Sequence, residues 1–182
     1  MTAATVTPHD VLAFWRAAGP DKWFTKDAAF DDAIRARFLA TYEAAAARTL
    51  AWDDTAEGAL ALLIVLDQFP RNMFRGSARA FAADPLARDA AARAIARGFD
   101  LQFEAAERSF FYLPFEHSEA LADQDRCVVL NRASGDADAL KWAELHADII
   151  RRFGRFPHRN AVLGRATTPE EQAFLDGGGF AG

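Results

Sequence analysis

The chain has 182 residues, a net charge of −5 and a single cysteine, Cys127. A hydrophobic content of 51% excludes intrinsic disorder, one cysteine excludes a disulfide framework within the chain, and the acidic balance argues against a general nucleic-acid binder. The longest strongly apolar run, residues 59–66, is too short to cross a bilayer, and the N-terminus has no signal-peptide pattern. We therefore expect a globular, cytoplasmic protein with neither a nucleic-acid nor a membrane partner.

Helix signals fill the first half of the chain. Thr7 and Pro8 have the N-cap and first-turn pattern of a helix that runs to about Ala17. A second helix is predicted after Thr25, because apolar residues then recur every four positions: Phe30, Ile34, Phe38 and Tyr42. A third helix is predicted over about 54–68, and its centre is apolar on all sides, which is typical of a buried helix.

Pro70 predicts a break after this central helix. A proline biases the residue before it, here Phe69, away from helical geometry, so we expect the helix to break at 69–72. The fourth helix is predicted to begin at Asp84 and Pro85 and to end at Gly98.

The second half of the chain continues the pattern. A short aromatic piece over 108–113 is expected to stop at Pro114, and a fifth helix to follow over about 115–133. A sixth helix is predicted over about 137–153 with Gly154 as its C-cap, and a capping box at Thr168–Glu171 predicts a last short helix. Residues 177–182 are rich in glycine and are expected to form a disordered tail.

These patterns predict an all-α fold. No stretch alternates apolar and polar residues with a period of two, and no hairpin signal joins two β-branched runs. No linker is long enough to divide the chain, so we predict one domain over 1–182, with about six main helices and additional short ones.

Asp67 stands where an apolar residue is expected. It lies at the end of the most apolar helix, and a buried carboxylate needs a cationic or amide partner. Arg71 and Arg75 follow closely, and Arg152 and Arg155 are the other candidates. The pattern indicates either a structural ion pair or part of a binding site.

Two histidines, His117 and His146, each fall in a stripe with the spacing of one buried helix face. They are candidate acid–base groups if the two faces meet, and core residues bonded to backbone carbonyls if they do not. A metal site built from Glu116 or Glu119 with these histidines and His158 is an alternative. Since neither a Glu-x-x-His pair nor a His-Glu-x-x-His motif is present, we predict no metal and no cofactor.

The segment Lys141–Arg165 carries six basic residues against two acidic ones, a net charge of +4 on an acidic chain. Arginine supplies 18 of the 21 basic residues of the chain, and its planar guanidinium suits carboxylate and phosphate groups. Interaction with the helix dipole accounts for the first arginines of the run 151–160. It does not account for the basic residues that follow them: Arg155, His158 and Arg159.

Four groups of residues carry a resemblance to a known family: Leu66–Asn72, Phe111–Glu119, Arg152–Asn160 with Leu163–Arg165, and Thr168–Glu171. In these motifs, and from Val11 to Leu175 as a whole, the sequence resembles a bacterial family known as domain of unknown function 924. The resemblance implies a tetratricopeptide-like array of antiparallel helical hairpins. It implies no catalytic role for any residue.

We expect the end of the third helix, the start of the fifth and the end of the sixth to meet around a concavity that binds a small phosphate- or carboxylate-bearing ligand. The residues assigned to this ligand site are Asp67, Arg71, His117, Glu119, Arg152, Arg155, His158 and Arg159. Two alternatives stay open. One is a helical scaffold that binds a peptide or protein, and the other is an enzyme with His117 or His146 as acid–base group and an arginine clamp.

Overall fold

The computed structural model describes residues 6–181 and contains no strand among them, so the all-α prediction is confirmed. The helices, in chain order, are α1 (Pro8–Ala18), α2 (Pro20–Trp23), α3 (Ala28–Ala46), α4 (Ala56–Leu63), α5 (Phe69–Met73), α6 (Asp84–Ala96), α7 (Ala105–Glu116), α8 (Leu121–Ser134), α9 (Ala137–Phe153) and α10 (Pro169–Asp176). A π-helical turn, Ile64–Gln68, joins α4 to α5. Short 3-10 turns lie at Ala78–Phe81, Asp100–Gln102 and Pro157–Arg159. Within the described range, every helix is too short or too polar to cross a membrane.

Contacts divide the chain into two compact units. The first contains the described residues up to Arg75 and Arg79–Pro114, and the second contains Gly76–Ala78 and the chain from Phe115 onward. The prediction of a single domain over 1–182 stays a prediction, and so does the tetratricopeptide-like arrangement of the hairpins.

Local capping explains where several helices begin and end. The Thr7 hydroxyl accepts a hydrogen bond from the Asp10 N–H, and the Asp10 carboxylate accepts one from the Thr7 N–H at 2.9 Å, which completes a capping box. The same reciprocal pair opens α10, at Thr168 and Glu171. Gly154 ends α9 in the left-handed conformation, with φ of +69°, as its position in the sequence predicts.

The core of the first unit is rich in aromatic rings. Phe69 of α5 is fully buried, and its ring lies 4.8 Å from that of Phe38 in α3 and 5.8 Å from that of Trp15 in α1. In the second unit, α8 and α9 pack side by side, and Ile149, Ile150 and Phe156 form a buried cluster.

The predicted break at Pro70 is wrong. The chain stays helical through 64–73, and the Phe69 N–H bonds to the Ile64 carbonyl five residues back, so the helix widens into a π turn. Pro70 lies in the first turn of α5, directly after the π turn. Burial of Phe69 and Met73 favours a continuous helix over the local bias of the proline.

The predicted stop at Pro114 is also wrong. Helix α7 runs through Pro114 to Glu116, and α8 begins only at Leu121. The Gln124 side chain explains the break after Glu116, because its Nε2 donates to the carbonyls of Glu116 and Ser118, both at 2.6 Å. His117 consequently lies in the connection and not on a buried helix face.

Gly58 provides a test of the packing in α4. A Cβ atom at this position would overlap the Trp52 carbonyl oxygen and lie 2.9 Å from the Thr55 hydroxyl. Although Gly→Ala normally stabilises a helix interior, we expect Gly58→Ala to destabilise the protein by about 1–3 kcal/mol through overpacking. Its melting temperature should fall by about 3–10 °C.

The control for this variant is Glu57→Ala, a substitution at an exposed neighbour on the same helix. We expect its melting temperature to stay close to that of the native protein. A Gly58→Ala protein that melts at or above the native temperature would contradict the described packing.

Candidate functional site

The residues assigned to the ligand site fall in both units. Asp67 and Arg71 lie in the first unit, at the junction of the π turn and α5. The others lie in the second unit: His117, Glu119, Arg152, Arg155, His158 and Arg159. Their convergence on one concavity stays a prediction.

Arg71 lies between two carboxylates of the first unit. Its Nη1 is 3.2 Å from Asp67 Oδ1 and 2.9 Å from Asp84 Oδ1, and its Nη2 is 3.1 Å from Asp84 Oδ2. Asp67 is 1% exposed and also accepts a hydrogen bond from the Gln68 side chain. Burial acts to lower the pKa of Arg71, but the two carboxylates outweigh it and the pKa is raised. The structural ion pair considered for Asp67 is therefore present.

Glu171 of α10 is the centre of a polar network in the second unit. Its carboxylate accepts two hydrogen bonds from Arg155, at 2.6 and 2.8 Å, and one from Asn160 at 3.2 Å. It also accepts one from the Thr168 N–H at 2.8 Å. The hydrogen bonds from Arg155 lower the pKa of Glu171 to about 2, against the opposing effect of burial. Arg155 thus binds a carboxylate of its own chain.

Two more arginines of the basic segment are also paired. Arg165 donates to both carboxylate oxygens of Glu119, at 2.7 and 3.0 Å, and Glu119 accepts a further bond from the Phe156 N–H at 2.8 Å. Burial acts to raise the pKa of Glu119, but these hydrogen bonds outweigh it and the pKa is lowered. Arg152 is exposed and lies 3.1 Å from Glu170. Both contacts are internal ion pairs.

Two imidazoles and one guanidinium lie around Phe156, and the guanidinium binds the His117 backbone; we call His117, His146, His158 and Arg159 the histidine cluster. The Arg159 guanidinium lies 4.5 Å from the centre of the Phe156 ring, and its Nη1 donates to the His117 carbonyl at 2.9 Å. The rings of His146 and His158 lie 5.6 and 5.7 Å from the Phe156 ring. The structure thus brings together three residues of the predicted ligand site and one predicted acid–base group.

The histidine cluster is mostly buried and carries positive charge. His146 and Arg159 are 5% and 6% exposed, whereas His117 and His158 are partly exposed. Burial, assisted by the charge of Arg159, lowers the pKa of His146 to about 4 and that of His158 to about 3. Both imidazoles are therefore neutral at pH 7.

His146 and Cys127 show which chemistry this region supports. The Nδ1 of His146 donates to the Trp142 carbonyl at 2.8 Å and lies 3.3 Å from Glu116 Oε1, which leaves Nε2 as a proton acceptor. A base with a pKa of about 4 is weak at neutral pH. Burial, together with the nearby Glu116 carboxylate, raises the pKa of the Cys127 thiol, so it is a poor nucleophile.

A metal site from Glu116 or Glu119 with the three clustered histidines was the alternative. Between residues 6 and 181, no three His, Cys, Asp or Glu side chains are grouped so that they could hold a metal ion.

A groove of about 500 Å³ lies between α9 and the C-terminal residues of the second unit, and we call it the α9 groove. Its apolar lining comes from Leu145, Ile149, Phe153, Phe174 and Phe180. Its charged lining comes from Lys141, Glu144, Asp148 and Arg152. Trp142 stands nearby, 49% exposed, with its ring 6.3 Å from that of Phe180.

Sequence reasoning missed the acidic and aromatic partners of these groups. Glu171 was recognised only as part of a capping box, and Arg165 only as part of a motif. Phe180 falls in the tail expected to be disordered, yet its ring lies 4.5 Å from that of His146 and 5.2 Å from that of His158. The expectation of a disordered tail over 177–182 stays a prediction, and residue 182 lies outside the described residues.

The fold and its internal ion pairs define a small all-α protein. A family model described as "Bacterial protein of unknown function (DUF924)" matches residues 11–179, and the chain belongs to this family. A solved structure of a protein of unknown function, ATU0120 from Agrobacterium tumefaciens, is 52% identical and has a TM-score of 0.91. The similarity covers 93% of this chain and 97% of that one. A comparison with curated proteins finds no match.

The Glu171 network predicts a pH-dependent stability. Because the pKa of Glu171 is about 2 when folded and about 4.3 when unfolded, its contribution is present above pH 5 and is lost as the pH falls towards 2. We expect Glu171→Gln to melt lower than the native protein at pH 7 and to lose less stability on acidification. The exposed neighbour variant Glu170→Gln should follow the native profile. Parallel native and Glu171→Gln profiles of melting temperature against pH would contradict this assignment.

The arginine partners provide an independent test of the same network. Arg155→Ala leaves the buried Glu171 carboxylate without its two strongest donors, whereas Arg152→Ala removes an exposed ion pair. We expect a clear loss of melting temperature in the first variant and almost none in the second, while the far-ultraviolet circular dichroism of both stays helical. Equal melting temperatures for the two variants would show that Arg155 is not a structural residue.

Proposed function

We propose that this protein binds a small anion, the carboxylate or phosphate group of a ligand, at the histidine cluster. The observation that carries the proposal is the buried Nδ1 of His158, which has no hydrogen-bond partner among residues 6–181. The charge of Arg159 acts on the same imidazole. An imidazole and a guanidinium that lie side by side can both donate hydrogen bonds to one anion.

The charges around His158 favour binding of an anion together with protonation of the imidazole. Burial is the main cause that lowers the pKa of His158; Arg159, His146 and His117 lower it further, and Glu119 opposes them only in part. An anion beside these groups offsets the positive charge and raises the pKa of the imidazole. The protonated ring then donates a hydrogen bond to the anion, so binding takes up a proton.

Arg71, Arg155 and Arg165 are poor sites for an added anion. Arg71, Arg155 and Arg165 each bind carboxylates of the chain through at least two short contacts, which an incoming anion would have to displace. His117 and His158 are partly exposed residues, so the cluster extends to the surface.

Sulfate is a suitable probe because its charge does not change between pH 5 and 7. We expect it to raise the melting temperature with saturable dependence on concentration. At one hundred times its dissociation constant the stabilisation is about 2.7 kcal/mol, or about 5–10 °C for a chain of this size. The apparent affinity should increase as the pH falls from 7 to 5, because protonated His158 is the better donor.

His158→Asn and His9→Asn form a matched pair for this experiment. His9 is exposed on α1, and its substitution should leave the sulfate response unchanged. His158→Asn should remove the response while the helical spectrum is retained. Imidazole NMR signals supply a second readout, since sulfate should raise the pKa values of His146 and His158. A sulfate response that is the same in both variants would refute the proposed site.

A further inference from the structure

Phe180 lies where the histidine cluster and the α9 groove adjoin. Its ring is in edge-on contact with His146 at 4.5 Å and with His158 at 5.2 Å, and the same ring lines the groove. The C-terminal segment therefore covers two members of the cluster from the side of the groove.

Glycines allow the chain to return over α10 and place this ring. Gly178 has a φ of +81°, and the Gly179 N–H donates to the Phe174 carbonyl at 2.9 Å. A Cβ atom at Gly179 would lie 2.6 Å from that carbonyl oxygen, which is closer than a side chain can approach. Backbone hydrogen bonds thus hold the segment that carries Phe180. Its close packing on α10 is possible because Gly179 has no side chain.

The α9 groove offers an apolar surface, with four charged side chains also in its lining: Lys141, Glu144, Asp148 and Arg152. Its volume of about 500 Å³ is within the range of small-molecule sites. Leu145, Ile149, Phe153 and Phe174 provide its apolar lining, and Phe180 lies at the boundary with the cluster. An apolar group that replaced the Phe180 ring would be continuous with an anionic group at His158.

We propose that the ligand is an amphipathic anion, with its charged head at the histidine cluster and its apolar body in the α9 groove, and that Phe180 occupies the junction until the ligand displaces it. The proposal rests on the proposed function, because it needs an anion site at the cluster. It adds the class of ligand and a gate formed by the chain's own C-terminal segment.

Straight-chain carboxylates from acetate to octanoate test the ligand class at constant charge. Binding to the native protein is measured at pH 7 by titration calorimetry below the micellar range, with 1-hexanol as the neutral control. We expect affinity to increase about threefold to fourfold for each added methylene, and 1-hexanol to bind much more weakly than hexanoate. Equal affinities along the series, or equal binding of hexanol and hexanoate, would overturn the proposal.

Two variants test the gate by different means. Phe180→Ala removes the ring, and Gly179→Ala retains the ring but displaces its segment from α10. Both should bind hexanoate more tightly than the native protein, whereas Ala181→Gly, at an exposed neighbouring position, should match it. Unchanged affinity in both gate variants would overturn the role of Phe180.

Sulfate binding distinguishes the two proposals. One outcome is that sulfate binds with the expected dependence on His158 while carboxylate affinity depends neither on alkyl chain length nor on substitution of Phe180. That result would refute the amphipathic ligand and leave the anion site in place. If neither sulfate nor any carboxylate binds to the native protein or to the gate variants, both proposals are refuted.

Discussion

The ion pair between Arg155 and Glu171 is the interaction on which the architecture of the second unit depends. It joins the residues that follow α9 to the first turn of α10, and Asn160 and the Thr168 N–H bind the same carboxylate. With α10 held in this way, Phe174 reaches Phe153 at 5.1 Å and the chain beyond it returns towards His146. The α9 groove and the position of the Phe180 ring against His146 and His158 thus depend on one buried carboxylate and its donors.

The high arginine content of the chain has a structural use that its net charge does not reveal. Each unit buries carboxylates, and an isolated buried carboxylate is costly unless donors surround it. Arg71 and Arg155 meet such carboxylates with two or more short contacts, which the forked guanidinium provides and lysine does not. Most of the positive charge in the predicted ligand site is therefore balanced within the chain. In the histidine cluster, burial keeps the imidazoles of His146 and His158 neutral at pH 7 beside the Arg159 guanidinium.

The sequence allowed correct prediction of features that depend on residues close in the chain. The N-cap at Thr7, the capping box at Thr168 and the end of α9 at Gly154 are decided within a few residues, and all three are present. The predictions at Pro70 and Pro114 failed because burial of the flanking aromatic residues outweighs the local preference of proline. The partner of Arg155 lies 16 residues away and that of Arg165 lies 46 residues away, so no local pattern identifies either pair.

The π turn at Ile64–Gln68 has a consequence for length variation in this helix. A π turn accommodates one residue more than an α-helix does without altering the direction of the flanking turns. Loss of a single residue between 64 and 68 would convert the turn to regular α-helix and leave Arg71 facing Asp84. The same loss within α4 would rotate all preceding residues by about 100° and expose its apolar surface. We therefore expect a single-residue deletion to cost less stability within Ile64–Gln68 than within α4.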